Sequence, residues 1–387
     1  MNDRRAYLDF NASAPLLPAA REAMLAALEV DANPSSVHAE GRAARRLIED
    51  ARRLVAALVG ASAGHVVFTS GATEAATTLL TPHWQIGRAA LTMSRLYVAA
   101  SDHPCLLGGG RFAKDDVEVL PVHSDGMLDL SCLRGALAAH DMARGLPLVA
   151  VHAANNETGV VQPVAEIARI VAEAKGVLVI DAVQAAGRLA IDIANAYGDF
   201  LILSSHKIGG PKGAGAIVAK ADLMMPLSLV RGGGQEKGHR SGTENVAAIA
   251  GFGVAADEAR RRLAGMDGVS HRRDRIEQAV VTIAPGATIF GAAAARLPNT
   301  TFFAIPGIKA ETAQIAFDLA GVALSAGSAC SSGRVGPSHV LKAMGFGDDV
   351  SALRVSIGHS TTDDDIARFI DALTALVARH ERKNRAA

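Results

Sequence analysis

The sequence lacks an excess of charge of either sign. Lysine and arginine together number 39, and aspartate and glutamate also number 39. A chain without a net positive field does not hold a polyanion by general electrostatic attraction, so direct binding to nucleic acid is not expected.

The sequence also lacks an apolar run long enough to span a membrane. Its most apolar stretch, residues 246–256, has eleven residues, whereas a transmembrane helix needs about 20. The polar first five residues lead into a mixed segment and not into the apolar core of a signal peptide. These features predict a cytoplasmic protein without a membrane partner.

Cysteine is scarce. The three cysteines, Cys105, Cys132 and Cys330, are odd in number and far apart, which argues against a disulfide framework and for reduced thiols. Cys132 lies between two leucines and is predicted to be a core residue. Cys330 lies among small polar residues, which is typical of an exposed thiol that can react; redox regulation is the alternative.

The rest of the composition is typical of a globular protein with two domains. The chain has 387 residues, of which 49% are hydrophobic and 20% charged, and this length exceeds what one ordinary core accommodates. We predict a large domain over residues 1–250 and a smaller α+β domain over residues 251–387. The first residues, 1–15, are expected to pack with the smaller domain.

Short apolar runs alternate with amphipathic stretches in the first domain. Strands without alternation are buried on both faces, which predicts an α/β fold with a mostly parallel central sheet covered by helices. Polar clusters follow five of the runs, and ligands of open α/β sheets bind at the carboxyl ends of the strands. The sequence therefore predicts one large site at that edge. The predicted strands cover residues 66–68, 96–100, 148–152, 177–180, 200–203 and 214–218.

Helices are predicted most clearly at two places. One covers residues 37–58, where apolar residues keep helical spacing. The other follows a stripe from Ile366 to Val377, and Thr361 or Thr362 with three aspartates is expected at its start.

Lys207 is the first candidate for chemistry. It follows a buried strand in the motif Ser204-Ser205-His206-Lys207. Desolvation at such a position can lower the pKa of an amine and make it a Schiff-base former. A single lysine in a loop more often extends into water, so Lys207 is informative only together with its neighbours.

Asp181 and Gln184 strengthen this interpretation. Asp181 ends the strand at 177–180, so its carboxylate is placed to face the ring nitrogen of pyridoxal phosphate and keep it protonated. Gln184 is placed to bond the phenolate oxygen of the same ring. Asp181 and Lys207 are 26 residues apart on successive strands, which suits opposite ends of one ring. A helix cap or a buried ion pair is the alternative for Asp181.

A phosphate site is predicted at Ser70-Gly71-Ala72-Thr73-Glu74. Backbone N–H groups at a helix start and the Thr73 hydroxyl can hold a dianion, although ordinary capping is the alternative. A weaker second candidate is the glycine triplet 232–234 with Arg240-Ser241-Gly242-Thr243.

His103 follows a strand and is placed to stack on a flat ring and move protons. A lone histidine is more often structural, so this role depends on the other residues. No metal site is predicted.

These motifs, in this order, resemble those of the cysteine desulfurases of the NifS/IscS type, within the class-V aminotransferases of fold type I. The resemblance runs nearly end to end, and the complete series is highly specific. It rests on Tyr7-Leu8-Asp9, Asn33-Pro34-Ser35-Ser36, residues 68–74, Asn155-Asn156-Glu157-Thr158-Gly159, residues 204–207, residues 240–243, Gly327-Ser328-Ala329-Cys330 and Arg354.

The resemblance implies pyridoxal 5'-phosphate as cofactor. Lys207 should then carry the cofactor, Asp181 should pair with its ring nitrogen, and His103 should stack on the ring. The phosphate should be held by a second set of residues, namely the N–H of Ala72 and the side chains of Thr73, Ser204 and His206.

The resemblance also implies L-cysteine as substrate. Asn156 and Arg354 should bind its carboxylate, which the fork of an arginine suits. Lys207 should remove the α-proton, and the thiolate of Cys330 should attack the substrate sulfur, which leaves alanine and a Cys330 persulfide. A protein sulfur acceptor or cluster scaffold should receive that sulfur for iron–sulfur cluster or other sulfur-cofactor assembly. Thr243 should reach the phosphate of the partner subunit, so the complete site requires a homodimer.

The sequence departs from this family pattern at several points. Ala75-Ala76-Thr77 stands where relatives usually carry a polar Asp or Asn near Ala76, and Ala12-Ser13-Ala14 replaces a more usual Ala-Thr-Thr. The long segment between Cys330 and Arg354 resembles the branch whose loop delivers persulfide over a distance. The chain ends at Ala387, without the longer tail by which housekeeping relatives contact the cluster scaffold.

Three other interpretations compete with a desulfurase. A selenocysteine lyase, an aminotransferase or a kynureninase-like hydrolase would also use Asp181, His103 and Lys207, but transamination needs no thiol such as Cys330. A non-catalytic scaffold of the same fold is a second alternative, and it would be colourless. A nicotinamide-binding enzyme is the least supported, because no Gly-x-Gly-x-x-Gly follows an early strand.

Overall fold

The computed structural model describes residues 5–327 and 337–386. Cys330 lies outside the described residues. The strands are β1 (Ala6–Tyr7), β2 (Val66–Thr69), β3 (His83–Ile86), β4 (Ala89–Ala99), β5 (Val117–Leu120), β6 (Leu146–His152), β7 (Val177–Asp181), β8 (Phe200–Ser204), β9 (Gly215–Ala219), β10 (Met224–Pro226), β11 (Thr288–Ile289), β12 (Thr300–Ala304), β13 (Val322–Ala323), β14 (Ser325–Ala326) and β15 (Leu353–Ser356).

The helices cover both faces of the large sheet and fill the C-terminal part. They are α1 (Pro18–Leu28), α2 (Ala39–Leu58), α3 (Ala72–Leu79), α4 (Pro104–Leu107), α5 (Leu130–Ala138), α6 (Val164–Glu173), α7 (Val246–Arg262), α8 (Met266–Ile283), α9 (Ala310–Leu319), α10 (His339–Ala343) and α11 (Asp363–Ala386). Of the helices in the described ranges, none is long and apolar enough to cross a membrane.

The central sheet has nine strands in the order β10-β3-β4-β6-β7-β8-β9-β2, with β5 paired to β4. The pairs β4–β5, β4–β6, β6–β7 and β7–β8 are parallel, and only β3 and β9 run against the other strands. The predicted α/β fold with a mostly parallel sheet is therefore confirmed. β9 is antiparallel because the connection from β8, residues 205–214, is too short for a crossover helix.

The apolar runs of the sequence arise because both faces of the central strands are buried. Val149 and Val151 of β6 lie in one core with residues of α2, α6 and α7, while Leu148 and Ala150 lie in a second core under α3. Successive side chains of a strand point to opposite faces, so a strand between two cores has no polar face.

A separate core belongs to the C-terminal part of the chain. There β11, β12, β15 and β14 form a four-stranded sheet, and α8, α9 and α11 pack around it. The N-terminal strand β1 pairs in parallel with β13, and Ala6 and Leu8 are fully buried in the same core as Phe303 and Phe369.

Helix α7 links the two parts. The predicted boundary at residue 250 falls inside it, and its later residues Phe252, Ala256 and Ala259 still pack in the core of the large sheet. At the start of α11, Thr362 and Asp365 form reciprocal side chain to backbone hydrogen bonds, a capping box.

Candidate active site

A cavity of about 400 Å³ lies at the carboxyl edge of the central sheet. Its walls come from segments that follow or end β2, β4, β6, β7 and β8, together with the residues that precede β9. The structure therefore brings the five predicted polar clusters to one place. The lining residues include Ser70, Ala72, Thr73, Glu74, His103, Cys105, His152, Asn156, Asp181, Gln184, Ser204, His206, Lys207 and Lys212.

The segment 70–74 turns from β2 into the start of α3. Glu74 accepts a hydrogen bond from the backbone N–H of Ser70 at 2.8 Å and pairs with Arg240 at 3.1 Å. A Cβ on Gly215 would lie 2.7 Å from the backbone of Gly71. Only glycine at position 215 therefore allows β9 to pass so close beneath this turn. The start of α3 is thereby directed at the cavity, where its N–H groups can bind an anion.

Two histidines of the cavity are held neutral. His103 accepts a hydrogen bond from the N–H of Cys105 at its Nδ1, and burial with nearby Lys207 lowers its pKa to about 4. His206 lies 3.3 Å from the hydroxyl of Ser13, and burial with the charges of Lys207 and Lys212 lowers its pKa to about 4. At neutral pH both imidazoles therefore offer one donor and one acceptor each.

Asp181 and Gln184 line the same cavity. Burial raises the pKa of Asp181 to about 6. The N–H of Val183, which donates to its Oδ1 at 3.0 Å, lowers the pKa but does not outweigh burial. Gln184 donates to the backbone oxygen of Asn11 at 3.0 Å, and its own side-chain oxygen accepts from Arg188 at 2.9 Å. Asp181 is only 7% exposed, and with a pKa of about 6 its carboxylate is mostly ionised at pH 7.

Lys207 also lines the cavity, where its charge acts on both Asp181 and His206. Its Nζ donates to the backbone oxygen of Asn11 at 2.6 Å and to that of Ala12 at 2.9 Å. Asn11 is fully buried, and its side chain bonds Asn156, Asn299 and Thr300. These contacts connect Lys207 to the part of the chain that forms the C-terminal core.

Two of the predicted site residues do not line this cavity. Arg354 is 1% exposed and bonds the backbone oxygen of Asn156 at 3.0 Å, the carboxylate of Asp9 at 2.8 Å and the hydroxyl of Ser325 at 3.2 Å. It thus lies behind Asn156, which does line the cavity. Thr243 is exposed, in the segment before α7.

The cysteines divide into three cases. Cys330 falls outside the described residues. Cys132 is exposed and not a core residue as predicted. The side of α5 that packs against the core carries Leu130, Leu133, Ala136 and Leu137, and the Sγ of Cys132 donates to Asp129 at 3.3 Å. Cys105 lines the cavity, and burial with nearby Asp181 raises the pKa of its thiol.

The glycine triplet 232–234 does not contribute to the cavity lining found among the described residues. The segment that follows the triplet is held against α2 and β2. Glu236 accepts two hydrogen bonds from Arg52 at 2.7 Å and one from the N–H of Phe68 at 2.8 Å. Of the two phosphate sites considered from the sequence, only residues 70–74 border the cavity.

Several lining or supporting residues were not predicted from the sequence. His152 ends β6 and lines the cavity beside Asp181, and the rule that pointed to Asp181 as the end of a strand would have found it. Lys212 precedes β9 and adds positive charge near His206. Asn11 gave no sequence signal, because its partners are far away in the chain.

Comparison with known proteins identifies the family. The family model of the class-V aminotransferases, "Aminotransferase class-V", matches residues 6–369. The chain belongs to this family. A cysteine desulfurase of Cereibacter sphaeroides is 40% identical, and the match covers 96% of both chains. A NifS-like protein from Rickettsia africae has a structure with a TM-score of 0.86 and 32% identity, over 96% of this chain and 99% of the other. A structure of SspA in complex with cysteine gives a TM-score of 0.73 with 27% identity, over 91% and 98%.

The residues around the cavity fit the pyridoxal phosphate on which this family depends. The cavity offers N–H groups at a helix start, the hydroxyls of Thr73 and Ser204, and neutral His206. The same cavity offers the carboxylate of Asp181 and the amine of Lys207. A phosphate needs donors and a pyridine nitrogen needs an acid partner, and the lining supplies both.

Proposed function

We propose that this protein is a pyridoxal-phosphate-dependent cysteine desulfurase that converts L-cysteine to L-alanine and passes the sulfur on. The observation that carries the proposal is the cavity that brings Lys207 together with the carboxylate of Asp181 and a phosphate-type donor set. The near full-length similarity to a protein named cysteine desulfurase supports the choice of reaction, and a related structure contains cysteine.

The cofactor would be held at both ends. The N–H of Ala72, the hydroxyls of Thr73 and Ser204, and His206 would bind its phosphate, and Gln184 its phenolate oxygen. Asp181 would keep the ring nitrogen protonated, and His103 would stack on the ring. When bound, pyridoxal phosphate supplies an electron sink for a carbanion at the substrate α-carbon.

Lys207 would carry the cofactor and later hold and move the α-proton at its Nζ. The carbonyl oxygens of Asn11 and Ala12 accept hydrogen bonds from that Nζ at 2.6 and 2.9 Å. Two carbonyl acceptors stabilise an ammonium more than an amine, so they give Lys207 a place to hold a proton. Its position in the cavity wall allows the same amine to face a substrate.

Asn156 and Arg354 would bind the substrate carboxylate. Asn156 lines the cavity, whereas Arg354 contacts the backbone of Asn156 from behind and is paired with Asp9. Direct contact between Arg354 and a substrate therefore requires that the carboxylate compete with Asp9 for the guanidinium.

Cys330 would accept the sulfur. Its thiolate forms a bond with the substrate sulfur, the bond from that sulfur to Cβ breaks with its electron pair on carbon, and protonation of that carbon gives alanine. The persulfide on Cys330 then passes to a protein acceptor or a cluster scaffold, in keeping with iron–sulfur or other sulfur-cofactor assembly.

Thr243 would complete the site of a second copy of the chain. Its exposure supports this role, since its segment is fixed to the large core by the Arg52–Glu236 pair yet leaves Thr243 at the surface. Mixing Thr243→Ala with inactive Lys207→Ala protein tests it. Heterodimers combine one intact Lys207 with one intact Thr243 across the interface, so activity should exceed that of either variant alone.

The reaction is tested by incubating the holoenzyme with L-cysteine and a reductant and measuring alanine and sulfide. Wild type should be yellow and form both products in equal amounts. Lys207→Ala should form neither, and Lys220→Ala, which alters an exposed lysine after β9, should match wild type. A wild type that binds pyridoxal phosphate but forms no alanine from L-cysteine would overturn the proposal.

A further inference from the structure

A buried histidine and aspartate lie next to the predicted cofactor partner Asp181 and have no role in the proposed reaction. His152 is the last residue of β6, and in the parallel pairing of β6 with β7 it is the register partner of Asp181. Paired residues on neighbouring strands point to the same face of a sheet, about 5 Å apart. Both side chains accordingly line the same cavity.

Both ring nitrogens of His152 are engaged. Nδ1 lies 2.5 Å from Oδ1 of Asp102, and Nε2 lies 3.3 Å from the side-chain nitrogen of Gln162. The orientation of Gln162 is fixed by two other bonds, because its Oε1 accepts from the N–H of Leu128 and its Nε2 donates to the oxygen of Gly126. Gln162 therefore presents an N–H to His152, whose Nε2 accepts and whose Nδ1 donates to Asp102.

Asp102 is fully buried and is the last member of the hydrogen-bonded series Gln162–His152–Asp102. Besides the imidazole, it accepts the backbone N–H of His152 at 2.9 Å and that of Ala99 at 2.7 Å. Three donors fix the position of this carboxylate. His152 itself is 3% exposed, so neither of its nitrogens is available to take a proton from a substrate without loss of a partner.

The electrostatic surroundings of Asp181 include this pair. Apart from burial, the ionisable groups that act on the Asp181 carboxylate are His152 from β6, Asp102 after β4 and Lys207 after β8, while the Cys105 thiol lies close enough to be affected by Asp181. The charge of Asp102 raises the pKa of Asp181, whereas His152 and Lys207 lower it.

We propose that His152, held between Asp102 and Gln162, is a positioning residue that keeps Asp181 ionised against the ring nitrogen of the cofactor. The imidazole separates the buried charge of Asp102 from Asp181 and absorbs part of that charge through the Nδ1 hydrogen bond. Without it, the buried charge of Asp102 would act on Asp181 without the opposing effect of the imidazole, and Asp181 would retain a proton to higher pH. This inference rests on the proposed function, since it assumes that Asp181 meets the cofactor ring.

The test compares the holoenzymes of wild type, His152→Leu and Asp102→Asn. The visible absorption of the bound cofactor and its dissociation constant are measured from pH 5 to pH 9. In His152→Leu the pH midpoint of the absorption change should rise by about one pH unit, which is a tenfold change in the protonation equilibrium. The cofactor should also bind more weakly at neutral pH. Asp102→Asn keeps the shape of the side chain and removes its negative charge, so it should shift the midpoint to lower pH.

His140→Leu is the matched control. This histidine also bridges two side chains, Tyr97 at 2.9 Å and Ser94 at 3.1 Å, but it does not border the cavity described above. It should lower the unfolding temperature and leave the midpoint unchanged. If His152→Leu and Asp102→Asn behave in this same way, the pair only ties β6 to the turn after β4 and the inference is wrong.

The outcome is separable from the proposed reaction. If wild type binds no cofactor, the proposed function fails first. If wild type binds cofactor and forms alanine while neither variant moves the midpoint, only the role of His152 fails. Should His152→Leu not fold, Asp102→Asn decides alone, since an unmoved midpoint in that variant also refutes the inference.

Discussion

Lys207 donates a hydrogen bond from its Nζ to the backbone oxygen of Asn11 at 2.6 Å, across a separation of 196 residues. The side chain of the same asparagine bonds Thr300 at 2.9 Å and Asn299 at 3.0 Å in the C-terminal part. Asn11 therefore fixes the position of Lys207 and joins the two cores at the cavity.

Replacement of Asn11 by alanine should lower both stability and cofactor retention. It removes three buried side-chain hydrogen bonds and leaves Asn299 and Thr300 short of partners, which costs roughly 2–4 kcal/mol. The unfolding temperature and the cofactor content after dialysis check this. Asn195→Ala is the control, since Asn195 is exposed and bonds only the nearby Asp192. Equal effects of the two substitutions would contradict the role given to Asn11.

Replacement of Asp181 by asparagine should stabilise the cofactor-free protein while it impairs cofactor binding. Burial raises the pKa of Asp181 from 3.8 to about 6, so the ionised carboxylate costs the folded state on the order of 3 kcal/mol at pH 7. Because the pKa of Asp181 is higher in the folded than in the unfolded state, this loss of stability is absent below pH 3.8 and complete above about pH 6.

The measurement is the unfolding temperature of both cofactor-free proteins at pH 4.5 and pH 7.5. The gain from Asp181→Asn should be clearly larger at pH 7.5. Asp129→Asn should act in the opposite direction, because hydrogen bonds from Ser131 and Cys132 lower the pKa of this exposed cap. A gain from Asp181→Asn that does not change with pH would contradict the buried charge.

Most of the central sheet could be predicted from sequence because its strands are buried on both faces. β6, β7 and β8 have only apolar residues before their polar ends. This pattern predicts the edge of the sheet at which ligands bind. β3 and β10 were not predicted, because β3 alternates buried Trp84 with exposed residues and β10 has only three residues.

The site was predictable where its residues end a strand, as at Asp181, or follow one closely, as at Lys207. It was not predictable where the contact is long-range, as for Asn11. His152 also ends a strand and was missed, although the rule that pointed to Asp181 applies to it. The departure at Ala76 has a packing reason, because Ala76 is fully buried beside Leu79 and Leu106 in the core under α3. A polar residue there would need a partner in that core.

Replacement of Arg354 by lysine should raise the KM for L-cysteine about tenfold with a smaller change in kcat, as expected when a fork contact with a carboxylate is lost. Steady-state kinetics of alanine formation measure both constants. Arg296→Lys is the control, because Arg296 forms a two-fold pair with Glu277 outside the cavity lining described here. If KM stays at the wild-type value, Arg354 only supports Asn156 and Asp9.

The central claim is that Cys330 accepts sulfur from a substrate activated at Lys207. The most direct measurement compares alanine and sulfide formation from L-cysteine by wild type, Cys330→Ser and the exposed-cysteine control Cys132→Ser. We predict that all three proteins are yellow, that wild type and Cys132→Ser form both products, and that Cys330→Ser forms neither. A Cys330→Ser protein as active as wild type would show that this thiol is not the sulfur acceptor and would favour a lyase or transaminase instead.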